Sequence, residues 1–202
     1  MNFFTIGFIF CSLNFNIGHP INYITRLIGV FFMLGGIKET LVSEDSFGFE
    51  SFRTDVLITL VCALLGTAAS LLMGFESIPQ KVGFLLTTTL GVLTFLSVIS
   101  HQFRIVRKMR PMKALVNDPS LLERLWKAWR NYAAAASVTM FCQLVMRLST
   151  SGKALHTAAG ALFFITIIIQ YVLLVHMGGA FNDVRTDYNV MHPIEPFEQK
   201  KK

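Results

Sequence analysis

Apolar residues dominate this chain in long runs, and polar residues gather in the gaps between them. A helix needs about 20 apolar residues to cross a hydrocarbon layer about 30 Å thick. The pattern predicts spans over residues 21–37, 56–75, 82–103, 133–148 and 155–177. The second, third and fifth are nearly free of charge. The first is short and carries Arg26, which is expected near one surface, where it can snorkel to the headgroups. The fourth carries Gln143 and Arg147. The expected number of spans is therefore four to five. Residues 3–15 are apolar but too short for an ordinary span, and are expected to form an interfacial segment, a re-entrant segment or a short span. They lack the basic start and cleavage site of a signal peptide.

Small residues recur every fourth position in two of the spans. Gly66, Ser70 and Gly74 share one helix face, and Gly83, Thr87 and Gly91 share another. Such faces let backbones approach closely, so the second and third spans are expected to pack as an antiparallel pair across the ESIPQK turn. The Thr87-Thr88-Thr89 run is expected to bond to helix carbonyls. Gly178-Gly179 is expected to end the last helix.

Residues 104–131 break the apolar pattern without losing helical period. Ile105, Met109, Met112 and Val116 form one stripe; Leu121, Leu122, Leu125, Trp129 and Tyr132 form another. Asp118 is a suitable N-cap, with Pro119 at the first helical position, and Pro111 should interrupt the first arm near Arg110. The arms read as helices continuing the third and fourth spans. They are expected to bury their stripes against each other as a projecting hairpin, because the short turn keeps them close. The alternative is that each lies in the headgroup layer with Trp126 and Trp129 at the interface.

Composition and charge sharpen this picture. Of 202 residues, 53% are hydrophobic and only 15% charged, against about 25% charged in soluble domains. Mean hydropathy is +0.55. The segment 104–131 holds eight basic residues against two acidic, a balance equal to the +6 of the whole chain. If this segment is cytoplasmic, 14 of the 18 Lys and Arg fall inside, which also makes the C-terminus cytoplasmic. The basic balance then reads as loops facing anionic lipid, not as a nucleic-acid surface. Cys11, Cys62 and Cys142 lie in apolar runs without framework spacing and are expected to be reduced and buried.

Candidate chemistry is sparse. The chain has no phosphate-cradling glycine loop, zinc-protease motif, nucleophile elbow or Cys-x-x-Cys pair. Gln143 and Arg147 lie one turn apart. With Arg26 and Glu76 they fall near the outer surface, where an Arg147–Glu76 tie is expected over an anion-attracting vestibule. His101, His176, Asp183, Asp187 and His192 match no established metal-ligand spacing, so no metal or cofactor is expected. The acidic residues 39–55 read as a solvated face without the calcium-loop spacing. No carboxylate lies mid-span, which weakens an ion-coupled transporter.

The N-terminal run GFIFCSLNFNIG from Gly7 to Gly18, with Ile28-Gly29 and LGGIKE from Leu34 to Glu39, resembles the opening of small uncharacterised multi-pass membrane proteins of Gram-positive bacteria. In those, a Leu-Pro-Asp-Phe-Ile-Gly motif sits where this chain has ITRLIG from Ile24 to Gly29, without the Pro-Asp. The resemblance covers about a fifth of the chain. It implies a bacterial cytoplasmic membrane protein and brings no activity.

The sequence thus predicts an all-α polytopic integral membrane protein with four to five transmembrane helices and a basic cytoplasmic helical hairpin extending the third and fourth spans. Residues 1–181 are one transmembrane domain and 182–202 a polar C-terminal tail. The expected function is non-catalytic: an accessory, regulatory or sensor protein acting on membrane lipids, a protein partner or a second copy. Arg107, Lys108, Arg110, Trp126, Lys127 and Arg130 are the expected contact residues, and Gly66, Ser70, Gly74, Gly83 and Gly91 the packing residues. The alternatives are a subunit of an oligomeric transporter or permease, and a membrane enzyme acting on lipid-like substrates.

Overall fold

The computed structural model describes residues 3–12, 20–40, 53–74, 78–110, 113–148 and 153–191. Regular structure among them is entirely helical: α1 (Phe3–Ser12), α2 (Pro20–Thr40), α3 (Arg53–Gly74), α4 (Gln80–Met109), α5 (Ser120–Leu148) and α6 (Lys153–Met191), with a single 3₁₀ turn at Lys113–Leu115. α5 packs most extensively on α6, α1 on α2, and α3 on both α2 and α4; smaller contacts join α1 to α6 and α4 to α5.

Among the described residues three helices are long and apolar enough to cross a bilayer: α3 over Val56–Met73, α4 over Gln80–Arg107 and α6 over Ala154–Tyr188. α2 has a shorter apolar run, Tyr23–Gly35. α5 does not qualify by composition, because Asn131, Ser137, Thr139, Gln143 and Arg147 dilute its apolar residues.

The two basic arms are not separate elements. The first is the C-terminal part of the 30-residue α4 and the second the N-terminal part of the 29-residue α5. α4 stops at Met109, two residues before Pro111, whose ring cannot continue a helix. Asp118 caps α5: its Oδ1 accepts the Ser120 N–H at 2.9 Å and its carbonyl accepts the Leu121 N–H at 3.1 Å. Ile105, Met109, Val116, Leu122, Leu125, Trp129 and Tyr132, all from the predicted stripes, are buried in one core. Met112 lies outside the described residues.

α6 departs from expectation. It runs through Gly178-Gly179 to Met191, so the first half of the expected tail is helix. Two glycines in a helix cost about 2 kcal/mol together. Beyond them Phe181, Val184 and Tyr188, spaced three and four apart, are buried in the same core as the arms. Burying Phe181 and Val184 alone contributes about 3–6 kcal/mol, so the helix continues. The arms therefore bury their stripes against α6 as well as each other. His192 to Lys202 lie outside the described residues, as do 41–52.

Arg26 is the second correction. It is 2% exposed and does not snorkel. Tyr23, Arg26, Val30 and Met33 follow spacings of three, four and three and form the buried face of α2. Depth along a helix does not decide snorkelling when the face points inward.

Candidate functional site

The chain presents two polar regions, at opposite ends of α4 and α5. The first is the head formed by the end of α4, the start of α5 and the end of α6. Its frame is aromatic: Phe103 lies 5.3 Å from Trp129, and Trp126 stacks on Trp129 at 5.4 Å, centroid to centroid. Guanidinium groups cover this frame. Arg107 sits 5.7 Å over Phe103 and Arg110 sits 5.1 Å over Trp126. Arg110 also grips Glu123 with two bonds, Nε to Oε1 at 3.3 Å and Nη2 to Oε2 at 3.4 Å. α6 is tied in by polar contacts. Asp187 Oδ2 accepts the Asp118 N–H at 3.0 Å, and Arg124 approaches Asp183 at 3.9 Å.

Of the expected contact residues, Arg107, Arg110, Lys127 and Arg130 are exposed and Trp126 is half-buried. Arg110 is committed to Glu123 and Trp126, so it braces the two arms as well as facing outward. The Lys108 side chain lies outside the described residues. The bonds that Ser120 makes to the Asp118 carboxylate, with the nearby Arg124 charge, hold that carboxyl below its ordinary value.

The second region is interior and lies between α2, α4 and α5. Thr87 is its hub. Tyr23 Oη donates to the Thr87 carbonyl at 2.7 Å, and Arg147 Nη2 donates to Thr87 Oγ1 at 2.8 Å. Thr87 Oγ1 in turn donates to the Gly83 carbonyl at 2.9 Å, and Thr88 Oγ1 to that of Phe84 at 2.7 Å, so both hydroxyls bond to helix carbonyls. The Arg147 guanidinium lies 4.7 Å over the Phe84 ring. Glu76, its expected partner, lies outside the described residues. One turn deeper along α2, Arg26 sits within electrostatic range of Tyr23, Cys11, Tyr132 and Cys62. Arg26 Nε and both amide atoms of the buried Gln143 have no hydrogen-bond partner among the described residues.

Packing residues are distributed over more than one interface. Gly66 faces α2, where a methyl group would overlap the Tyr23 ring. Gly83 faces α3, where a Cβ would come within 2.9 Å of Met73 Cγ. Thr59 and Ser97 share a hydrogen bond between α3 and α4. Ser70 and Gly91 are buried, and Gly74 is the last residue of α3. A closer backbone approach among the described residues was not foreseen. It is the crossing of α1 and α2, where a Cβ on Gly7 would sit 2.5 Å from the Gly29 carbonyl oxygen. The small pair Gly7 and Cys11, four apart, was its signal.

His101 is buried in α4 and His176 exposed on α6. Among the described residues no three His, Cys, Asp or Glu side chains gather as a metal site would require. The three cysteines are free, with Cys11 and Cys142 buried and Cys62 half-buried. The chain matches no protein-family profile, no characterised protein and no solved structure.

Proposed function

We propose that this protein is a bacterial multi-pass membrane protein that acts without catalysis, holding anionic lipid or a protein partner against its basic head on the cytoplasmic side. In this reading α2 to α6 cross the bilayer, and α1 is a short helix shielded by α2 and α6. One observation carries it. The exposed side chains change character at a common level and in the same direction on three helices. On α4 they are apolar from Val82 to Leu96 except for Thr89, then Ser100, Arg104, Arg107 and Arg110. On α5 they run from Arg124, Lys127 and Arg130 to Val138, Phe141 and Leu148. On α6, beyond the exposed His156 and Thr157, they are apolar from Ala158 to Val175, then His176, Asn182 and Asp183. The apolar length on α6 is about 27 Å at 1.5 Å per residue, close to the hydrocarbon core of about 30 Å.

Near an anionic surface each exposed Lys or Arg contributes about 1 kcal/mol. Both tryptophans of the chain lie in the head and can report on it. In reconstituted protein, brominated phosphatidylglycerol should quench them more than brominated phosphatidylcholine. Combined Arg107→Gln, Lys127→Gln and Arg130→Gln should abolish that preference. Equal quenching by the two lipids in the unaltered protein, with no partner captured through the head, overturns the proposal. A C-terminal reporter active only outside the cytoplasm overturns the orientation. The interior arginines favour a second reading, a subunit that handles an anionic solute.

A further inference from the structure

The head accounts for the exposed basic residues and leaves the interior cluster unexplained. Tyr23 lies within electrostatic range of two guanidinium groups, those of Arg26 and Arg147. Arg26 is 2% exposed and Gln143 is 3% exposed. No ion pair with a carboxylate holds Arg26 among the described residues. In hydrocarbon, charged groups pair with one another or with backbone carbonyls, because a lone charge is costly.

Gln143 is buried one turn from Arg147 on α5, with both amide atoms unbonded among the described residues. It lies on the stripe of α5 that runs from Tyr132 through Ala136 and Met140 to Arg147 at helical spacing. The two ends of that stripe reach the α2 pair: Tyr132 is within range of Arg26, and Arg147 meets Thr87 beside Tyr23. A buried amide with neither its donor nor its acceptor used is expensive. Gln143 can donate to an anion from the α5 side while Arg26 supplies charge from the α2 side. Arg147, half-buried at the end of α5 remote from the head, stands at the entrance.

We propose that the interior between α2, α4 and α5 is a binding site for an oxyanion of phosphate type, held by Arg26, Gln143 and Arg147, with Tyr23 and Thr87 positioning the guanidinium groups. The oxyanion is either the headgroup of an anionic lipid or a free solute anion. Phosphate geometry matches a guanidinium fork, and charge-assisted bonds are the strong ones. The inference goes beyond the basic head and does not depend on it, since the two regions share no residue.

The test uses the full chain in mild detergent. Inorganic phosphate and a short-chain phosphatidylglycerol are titrated separately by calorimetry, with short-chain phosphatidylcholine as the neutral reference. At least one anionic probe should bind with a clear preference over the reference. Arg147→Gln and Gln143→Ala should each weaken that binding about tenfold or more, and Arg26→Gln more strongly. Arg130→Gln, in the head, should leave it unchanged. Phosphate binding with this dependence identifies a solute site, and phosphatidylglycerol binding alone identifies a lipid site. Binding of neither probe, or binding weakened equally by Arg130→Gln, overturns the proposal. Arg147→Gln, on a half-buried residue, keeps the test decisive if Arg26→Gln does not fold.

Discussion

The crossing of α1 and α2 offers a sharp test of the fold, because glycine is required there on both sides. A Cβ on Gly7 would lie 2.5 Å from the Gly29 oxygen and from the Met33 nitrogen. A Cβ on Gly29 would lie 2.6 Å from the Cys11 nitrogen. Ordinary van der Waals contact for a Cβ starts at 3.4 Å, so Gly7→Ala demands a separation of about 0.9 Å between two backbones. Backbone atoms cannot yield as a flexible side chain does, so α1 must lift. Overpacking of this kind costs about 1–3 kcal/mol. Cys11 is buried in the crossing, and its Sγ points to the Arg26 carbonyl at 3.7 Å. With Cys62→Ser and Cys142→Ser in place, maleimide labelling reads the opening of α1 alone. The cost converts to a rise of about 5- to 150-fold in labelling rate for Gly7→Ala and Gly29→Ala. Gly35→Ala is the control, since nothing lies within 4 Å of its added methyl. Labelling of the glycine variants at the rate of the control refutes the crossing. So does labelling of native Cys11 at the unfolded rate.

Three further outcomes follow from the head. Arg110→Ala should cost about 1–1.5 kcal/mol, because both charged side chains of its pair are half exposed and the Trp126 face adds about 0.5–1 kcal/mol; a double-mutant cycle with Glu123→Ala showing coupling above about 2 kcal/mol would contradict this. The Asp118 carboxyl titrates below its ordinary value in the folded chain, so its cap stabilises α5 fully above about pH 3.9 and is lost as pH falls through the folded value. Circular dichroism on acidification should show that loss in the native chain and not in Asp118→Asn. Val184→Asp opens the wall that α6 gives the head, so emission from Trp126 and Trp129 should shift to the red and gain access to iodide; unchanged emission would mean that α6 does not close this core.

What the sequence revealed depended on whether the information was local. Charge-free length picks out α3, α4 and α6, and helical period picks out the arms within α4 and α5. The Asp118 cap and the stop before Pro111 are also local chemistry and are legible residue by residue. The end of α6 is not, because Gly178-Gly179 is a local stop signal overridden by distant burial of Phe181 and Val184. Arg26 misleads for a related reason: its position along α2 suggests snorkelling, while the Tyr23–Met33 spacing decides that it faces inward. In the interior cluster, Gln143 and Arg147 are visibly one turn apart. Their meeting with Thr87 and Tyr23 depends on how three helices pack, which no single segment encodes.

The interior cluster is also costly to bury, whatever its detailed geometry. An arginine within a span costs about 2.5–3.5 kcal/mol even when it can relax toward the surface, so two cost about 5–7 kcal/mol. A whole domain is stable by only about 5–15 kcal/mol. Arg147 recovers part of its share through Thr87 and the Phe84 face. Arg26 cannot relax, because its face of α2 is covered, and its Nε has no partner among the described residues. A site built only for stability would place an apolar side chain there. A buried and a half-buried cation within range of one tyrosine, with a buried amide whose bonding capacity is unused, are instead the arrangement that an incoming negative charge would stabilise.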